Sequence, residues 1–184
     1  MTVGLLVGAI LLIADIVFNL YNIGGVGILN ITIEKASLDD VKDIIEVKNK
    51  SFYEDYIKYG ESRGYNNTAE GITKTVQEKI VYKIQAYGDM IGYISITKKS
   101  DDDFYLNCLC VVPEYENKGI GQMAMTFMGN QFPQAKHWSL EALADKERNH
   151  YFYKKHGYQI TKEYMDGTVK IVLFEKWCNT AVSA

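Results

Sequence analysis

The sequence predicts an α+β fold built around a mixed sheet. Short β-prone segments alternate apolar and polar residues, end at turn signals, and are separated by segments with helical periodicity. The predicted order is β-α-α-β-β-β-α-β-α-β-β, with no internal repeat and no low-complexity tract. At 184 residues the chain fits one ordinary domain with a short appendage.

The first predicted strand is Ile31–Lys35, and Ser37 follows it as the cap of a helix with acidic residues in its first turn. The region 52–71 predicts a short helix and then a loop. The remaining predicted helices are 68–78, 119–132 and 149–156, and the remaining predicted strands are 80–87, 90–97, 104–112, 138–143, 158–162 and 168–174.

The first thirty residues differ in composition from the rest. Val3–Leu20 is almost entirely aliphatic, has no Lys or Arg, and contains Asp15 near its middle. Its length suits a transmembrane helix, but a carboxylate at that depth costs about 2.5–3.5 kcal/mol. A membrane anchor, a packed amphipathic helix and a start-site artefact all remain open, with the glycines at 24, 25 and 27 predicted as a flexible joint. We therefore expect a hydrophobic segment (1–30), a main domain (31–177) and a tail (178–184).

Composition narrows the function. The formal net charge of −3, without a basic block, argues against a nucleic-acid partner. Cys108, Cys110 and Cys178 lack Cys-x-x-Cys or zinc-ligand spacing, and the three histidines are scattered, so no metal site is expected. The cysteines are interpreted as reduced thiols in a cytoplasmic protein.

The most informative stretch is Val111–Gln122. A strand ends, a loop with two glycines follows, and an amphipathic helix begins. Such a junction aims backbone N–H groups and the positive end of a helix at one point, where a pyrophosphate binds favourably. The P-loop pattern is absent. Gly119–Ala124 fits a dinucleotide fingerprint, but six residues from Pro113 to Lys118 separate it from the strand, which argues against that interpretation.

These residues resemble the GNAT acetyltransferases. The run Val-x-Pro-x-Tyr-x-x-Lys-Gly-Ile-Gly is similar to that family's acetyl-CoA signature, and Asn149–Tyr158 is similar to its closing signature. Gly92 also stands where the family has Ile/Val-Gly. The resemblance covers about residues 31–176 and implies a three-layer fold with a mostly antiparallel sheet flanked by helices. Glu116 departs from it, because Arg or Gln is usual there.

The resemblance also implies site residues. The pantetheine arm of acetyl-CoA, the acyl donor, is expected to add to a strand edge, and loop amides are expected to hold the pyrophosphate. The positions for the arm are Leu109, Cys110 and Val111, and those for the pyrophosphate are Asn117, Lys118, Gly119, Ile120, Gly121 and Gln122. Tyr153 matches the family's general acid. Asn149 either contacts the pantetheine or caps a helix, since Lys146 occupies the position where many members carry Asn.

A base for the amine acceptor is less well defined. Glu141 on a strand facing the cofactor is one candidate, and Glu54 and Asp55 are the others. The aromatic side chains of the region 52–65 could wall an acceptor pocket or fill the core; they are Phe52, Tyr53, Tyr56, Tyr59 and Tyr65. An acyl-cysteine at Cys108 or Cys110 is a further, weaker alternative.

Two functions follow from the sequence. One is direct transfer of an acetyl group from acetyl-CoA to a primary amine in a ternary complex, with catalysis by positioning and oxyanion stabilisation. The other is a non-catalytic acyl-CoA-binding or sensor domain, tethered to a membrane through residues 3–20. The acceptor is expected to be a small-molecule or peptide amine, and the protein a monomer or homodimer.

Overall fold

A computed structural model describes residues 17–23 and 26–178 of the chain. Within these ranges eight strands and four α-helices form one sheet with helices packed against it. The strands are β1 (Val17–Ile23), β2 (Val26–Lys35), β3 (Ile80–Ala86), β4 (Asp89–Lys98), β5 (Asp103–Val111), β6 (His137–Leu143), β7 (Gln159–Asp166) and β8 (Val169–Trp177). The helices are α1 (Val41–Tyr59), α2 (Ala69–Glu78), α3 (Ile120–Gln131) and α4 (Glu147–Lys155).

The sheet has the order β1-β2-β3-β4-β5-β6-β8-β7. Every neighbouring pair is antiparallel except β5 and β6, which are parallel and connected through α3. A parallel pair needs such a crossover, whereas the hairpins need only short turns. The predicted α+β class and its mixed, mostly antiparallel sheet are confirmed.

The helices cover both faces of the sheet. Lys48 of α1 lies over the ring of Tyr93, with its Nζ 5.3 Å from the ring centroid. Phe127 of α3 packs edge-on against Tyr82, 4.8 Å away. Tyr82 pairs with Ile94, the residue next to Tyr93, and neighbouring residues of a strand point to opposite faces. Helices α1 and α3 therefore lie on opposite sides, which gives the expected three layers.

Helix α1 is longer than predicted. It runs without a break to Tyr59, through the segment where the sequence predicted a separate short helix, and ends at Gly60, whose φ of 75° is left-handed. The tyrosines that suggested irregular structure continue the helix, and glycine ends it because it adopts that conformation at little cost.

The two helical alternatives for Val3–Leu20, a membrane anchor and a packed helix, do not hold at the carboxyl end of this segment. Val17–Ile23 form β1, and Ile23 pairs with Val26 of β2. Residues 3–16 lie outside the described residues, as do Gly24 and Gly25 of the predicted joint. Gly27 belongs to β2, which runs through the predicted domain boundary at residues 30 and 31. In the part of the chain that the structure describes, no helix is long and apolar enough to cross a membrane.

Candidate acyl-transfer site

The parallel strands β5 and β6 pair at one end only. Asp103–Leu106 of β5 lies beside His137–Leu140 of β6. Beyond this point β5 continues to Val111 and β6 to Leu143, and the two strands no longer pair with each other. The two strands therefore diverge into a wedge, and one wall of this wedge is the backbone edge of β5.

His137 holds the closed end of the wedge together. Its Nδ1 lies 2.7 Å from Asp103 of β5, and its Nε2 lies 3.2 Å from Glu175 of β8. One imidazole thus links three neighbouring strands at the end where they stay paired.

A β-bulge marks the point where β5 leaves β6. The register of β5 on β4 shifts by one residue at Asn107. The Asn107 side chain donates to the hydroxyl of Thr97 at 2.8 Å and accepts from Lys79 at 2.8 Å. Because a bulge bends its strand and increases the local twist, Asn107 accounts for the opening of the wedge.

The open edge of β5 carries free backbone groups. Val112 donates its N–H to Ile91 of β4 at 2.8 Å. Hydrogen-bonded and non-hydrogen-bonded pairs alternate along an antiparallel ladder, so Cys110 also turns its backbone groups to β4. Leu109 and Val111 turn theirs to the wedge. Two of the three positions predicted for the pantetheine arm thus turn their backbone groups away from β4, whereas those of Cys110 belong to the β4 ladder.

The wedge opens into a cavity of about 680 Å³. Its lining includes Leu109 of β5, Glu141 of β6, and Asn149 and Tyr153 of α4. Asn149 is the third residue of α4, since the cap of this helix is Lys146. The alternative in which Asn149 caps the helix is therefore wrong.

Tyr153 sits between the two diverging strands. Its ring packs against Phe174 of β8 with centroids 5.5 Å apart, and its pKa is raised by burial and then by the thiols of Cys108 and Cys110. A raised pKa keeps the phenol protonated at neutral pH, and its role as a general acid stays a prediction.

The predicted anion site lies at the start of α3. Asn117 and Gly119 have φ values of 59° and 77°, and the Gly119 carbonyl accepts the first helical hydrogen bond, from Met123 at 3.0 Å. The N–H groups of Ile120–Gln122 therefore have no partner within the helix, and they point out of its positive end. Such an N-terminus favours an anion, and the pyrophosphate cradle stays a prediction.

The two glycines of this loop have different roles. Gly119 is needed for its left-handed φ, since a Cβ there would meet nothing within 4 Å. A Cβ on Gly121 would lie 3.2 Å from the ring of Phe152 in α4. Gly121 therefore lets α4 pack against the start of α3.

Glu116, which departs from the family pattern, is paired in the structure. Its carboxylate accepts a hydrogen bond from Nη1 of Arg148 at 2.5 Å, and its backbone N–H donates to Pro113 at 3.1 Å. The sequence does not reveal this partner, which lies 32 residues further along the chain.

The structure separates the three candidate bases. Glu141 and Asp55 line the cavity, whereas Glu54 is exposed outside it. Asp55 forms an ion pair with Lys146, the residue that replaces the family's Asn.

The Glu141 carboxylate lies 3.8 Å from Arg63 and accepts hydrogen bonds from Tyr105 and Tyr164. Burial and this hydrogen bond raise the pKa of Tyr164 to about 12, so that phenol stays protonated. Glu141 is therefore held by several partners at the wall of the cavity.

Two cysteines lie together at the cavity: Cys108 lines it and is half-buried, and Cys110 is buried. The hydrogen bond between them lowers the pKa of the Cys108 thiol, and with burial it raises the pKa of the Cys110 thiol. Lys48 lies close to both, and its side chain is nearly fully buried over Tyr93. In the sequence, Lys48 stands where the helical spacing of α1 calls for an apolar residue. A charged residue at such a position could have indicated that Lys48 is buried.

The predicted aromatic cluster divides into two groups. Phe52 and Tyr59 line the cavity. Tyr65 instead packs against Tyr56 and Tyr53, with ring centroids 4.5 and 5.8 Å apart, and none of these three rings lines it. The pocket interpretation therefore fits two of the five rings.

Residues 77–160 match the family model described as the acetyltransferase (GNAT) domain. This match contains β3 to α4 and with them the wedge, the α3 cradle and Tyr153. Residues 77–160 thus carry the sequence pattern of a GNAT acetyltransferase domain. The predicted family is thus confirmed, and with it acetyl-CoA as the donor that this family uses.

Solved structures agree with this GNAT fold. The PaiA N-acetyltransferase of Thermoplasma acidophilum, solved in complex with coenzyme A, has a TM-score of 0.69 at 21% identity and covers 80% of this chain and 99% of its own. The ribosomal-protein-S18-alanine N-acetyltransferase of Escherichia coli has a TM-score of 0.68 at 12% identity, covering 83% and 97%. Ard1 of Thermoplasma volcanium has a TM-score of 0.65 at 20% identity, covering 80% and 97%. No curated protein matches the sequence.

Proposed function

We propose that this chain is an N-acetyltransferase that transfers an acetyl group from acetyl-CoA directly to a primary amine within a ternary complex. One observation carries the proposal: the backbone edge of β5 turned away from β4 reaches, at Leu109, a cavity that the protonated phenol of Tyr153 also lines. The edge can hold an extended acyl donor, and the phenol can protonate its leaving group.

The donor fits as an additional strand. Leu109 and Val111 each offer one N–H and one C=O to the wedge, and the amide groups of a pantetheine arm can pair with them as a peptide pairs with a sheet edge. The N–H groups of Asn117–Gln122 would receive the pyrophosphate at the start of α3, and the exposed ammonium of Lys118 lies beside this loop. Asn149 is placed to hydrogen-bond the arm between these two sites.

The chain's own groups supply the chemistry. A backbone N–H of the β5 edge donates to the thioester carbonyl oxygen and stabilises the charge that develops there. As the amine nitrogen bonds to the carbonyl carbon and the carbon–sulfur bond breaks, Tyr153 donates its proton to the departing sulfur. Glu141 accepts the proton that the amine loses, through a water molecule, and the phenol is then reprotonated from solvent.

The acceptor, a small-molecule or peptide amine, would enter from the side of the cavity between α1 and β6. Charged side chains of both signs surround this side, including Asp55, Arg63 and Glu141. The alternative function, a non-catalytic acyl-CoA-binding domain, uses the same donor site without an acceptor.

The test is to follow free thiol formation from acetyl-CoA with a panel of amines and peptides. The proposal predicts amine-dependent release of coenzyme A above the rate of acetyl-CoA hydrolysis, and an acetylated amine of matching amount by mass spectrometry. Binding of acetyl-CoA without amine-dependent release across the panel would favour the non-catalytic domain, and absence of binding would exclude both functions.

A further inference from the structure

Arg148 lies in α4, beside the loop that leads into α3. It lies one helical turn before Phe152 in α4, and the Phe152 ring packs against Gly121 at the start of α3. Residues four apart share a helix face, so Arg148 points to the same loop, where it contacts Glu116. Arg148 and Phe152 thus attach α4 to the two ends of the loop 116–121.

The Glu116 carboxylate on its own would oppose an anionic ligand. It lies at the end of the loop whose amides form the cradle, and a like charge at short range weakens binding. Arg148 neutralises it through a contact of 2.5 Å from Nη1. A guanidinium has five N–H donors, and the other four have no protein partner among the residues that the structure describes.

We infer that Arg148 is a pyrophosphate-binding residue of this site and that Glu116 is the residue that positions it. Together they replace the single Arg or Gln that the resembled signature places at position 116. The carboxylate holds one edge of the guanidinium at this loop, which leaves the other donors for a bidentate contact with phosphate oxygens. This inference rests on the proposed donor site and assigns it a further residue.

The test compares Arg148→Gln with Lys154→Gln by isothermal titration of the full chain with coenzyme A and with 3′-dephospho-coenzyme A. Both variants remove one exposed positive charge from α4, so they share any general electrostatic effect. We expect Arg148→Gln to raise the Kd for both ligands by about 10-fold or more, as is typical of a lost charge-assisted contact, and Lys154→Gln to change it by less than about 2-fold.

Two further measurements distinguish ligand contact from helix packing. Pantetheine, which has no phosphate, should bind the wild type and Arg148→Gln equally in ligand-observed NMR. In a Glu116→Gln background, the factor by which Arg148→Gln raises the Kd for coenzyme A should be about 3-fold smaller than in the wild type, because no unpaired carboxylate remains.

The inference is wrong if Arg148→Gln matches the Lys154→Gln control, or if it weakens pantetheine binding as much as coenzyme A binding. A loss confined to coenzyme A would place Arg148 at the 3′-phosphate and would also contradict it, as would strictly additive effects of the two substitutions. Failure of the wild type to bind coenzyme A would instead overturn the proposed function itself.

Discussion

The proposed chemistry depends most on the hydroxyl group of Tyr153. Removing it in Tyr153→Phe leaves the ring packed against Phe174 but takes away the proton donor. We expect kcat to fall by about 10²–10³-fold, the usual worth of a general acid, while the KM for acetyl-CoA changes little. Tyr151→Phe is the matched control, since Tyr151 lies on the same helix with 72% of its surface exposed.

A Tyr153→Phe variant with a rate within about 3-fold of the wild type would exclude the phenol as the acid. The pH dependence gives a second check. Burial raises the pKa of Tyr153, and the protonated form is the active one. No loss of activity from this group is therefore expected on the alkaline side below about pH 10.

Gly92 is required by the close approach of β4 and β5. A Cβ at this position would lie 2.8 Å from the carbonyl oxygen of Cys110 and 2.9 Å from Cδ1 of Ile84. Gly92→Ala must therefore move backbone, and we expect it to lower the free energy of unfolding by about 1–3 kcal/mol in urea denaturation.

Gly129 of α3 provides the matched control. A Cβ there meets nothing within 4 Å, so Gly129→Ala should raise the free energy of unfolding by about 0.5–1 kcal/mol through higher helix propensity. Equal effects of the two substitutions would show that the crowding at Gly92 is unimportant.

At the scale of elements, Asp40 joins the start of α1 to the sheet. Its carboxylate accepts from the backbone of Ser37 at 2.7 Å and from Lys83 of β3 at 3.0 Å. Burial alone would raise the pKa of Asp40, but the hydrogen bonds from Ser37 and Lys83 outweigh it and hold the pKa below the ordinary value of 3.8.

The sign of the pH dependence follows from this shift. Because the folded-state pKa is depressed, the Asp40 carboxylate stabilises the fold above about pH 4, and this contribution is lost as the pH falls through the folded-state value. Asp40→Asn should cost about 1–2 kcal/mol at pH 7 and progressively less in acid. Asp39→Asn, at the adjacent exposed carboxylate, is the control, and a deficit that persists unchanged to pH 2 would contradict the assignment.

Local chemistry explains why most elements could be predicted from the sequence. Caps and turns act over a few residues, and the helices and strands that begin or end at them are present. They are the Ser37 cap, the turns at Gly88-Asp89 and Asp166-Gly167, and the glycines around 119–121. The stretch 52–59 was predicted less well, because its tyrosines are compatible with both loop and helix. The decisive signal was Gly60, which ends α1 in a left-handed conformation.

At the scale of the molecule, the sequence contains the parts of the site but not their arrangement. The wedge depends on the parallel pairing of β5 with β6 and on the bulge at Asn107, and both arise from contacts between distant segments. The same holds for the pairs Glu116–Arg148 and Asp55–Lys146, whose members lie on different elements. Motif spacing predicts which loop would hold an anion, whereas the partner that balances the charge of Glu116 is visible only in the fold.

The central claim is that an acyl donor pairs with the free edge of β5, and amide hydrogen exchange followed by NMR tests it most directly. Without ligand, the amides of Leu109 and Val111 should exchange faster than that of Cys110, whose N–H is in the β4 ladder. With saturating acetyl-CoA, the first two should slow by about 10-fold or more, and Cys110 should stay protected throughout. Unchanged exchange of Leu109 and Val111 under conditions where acetyl-CoA is bound would contradict the claim.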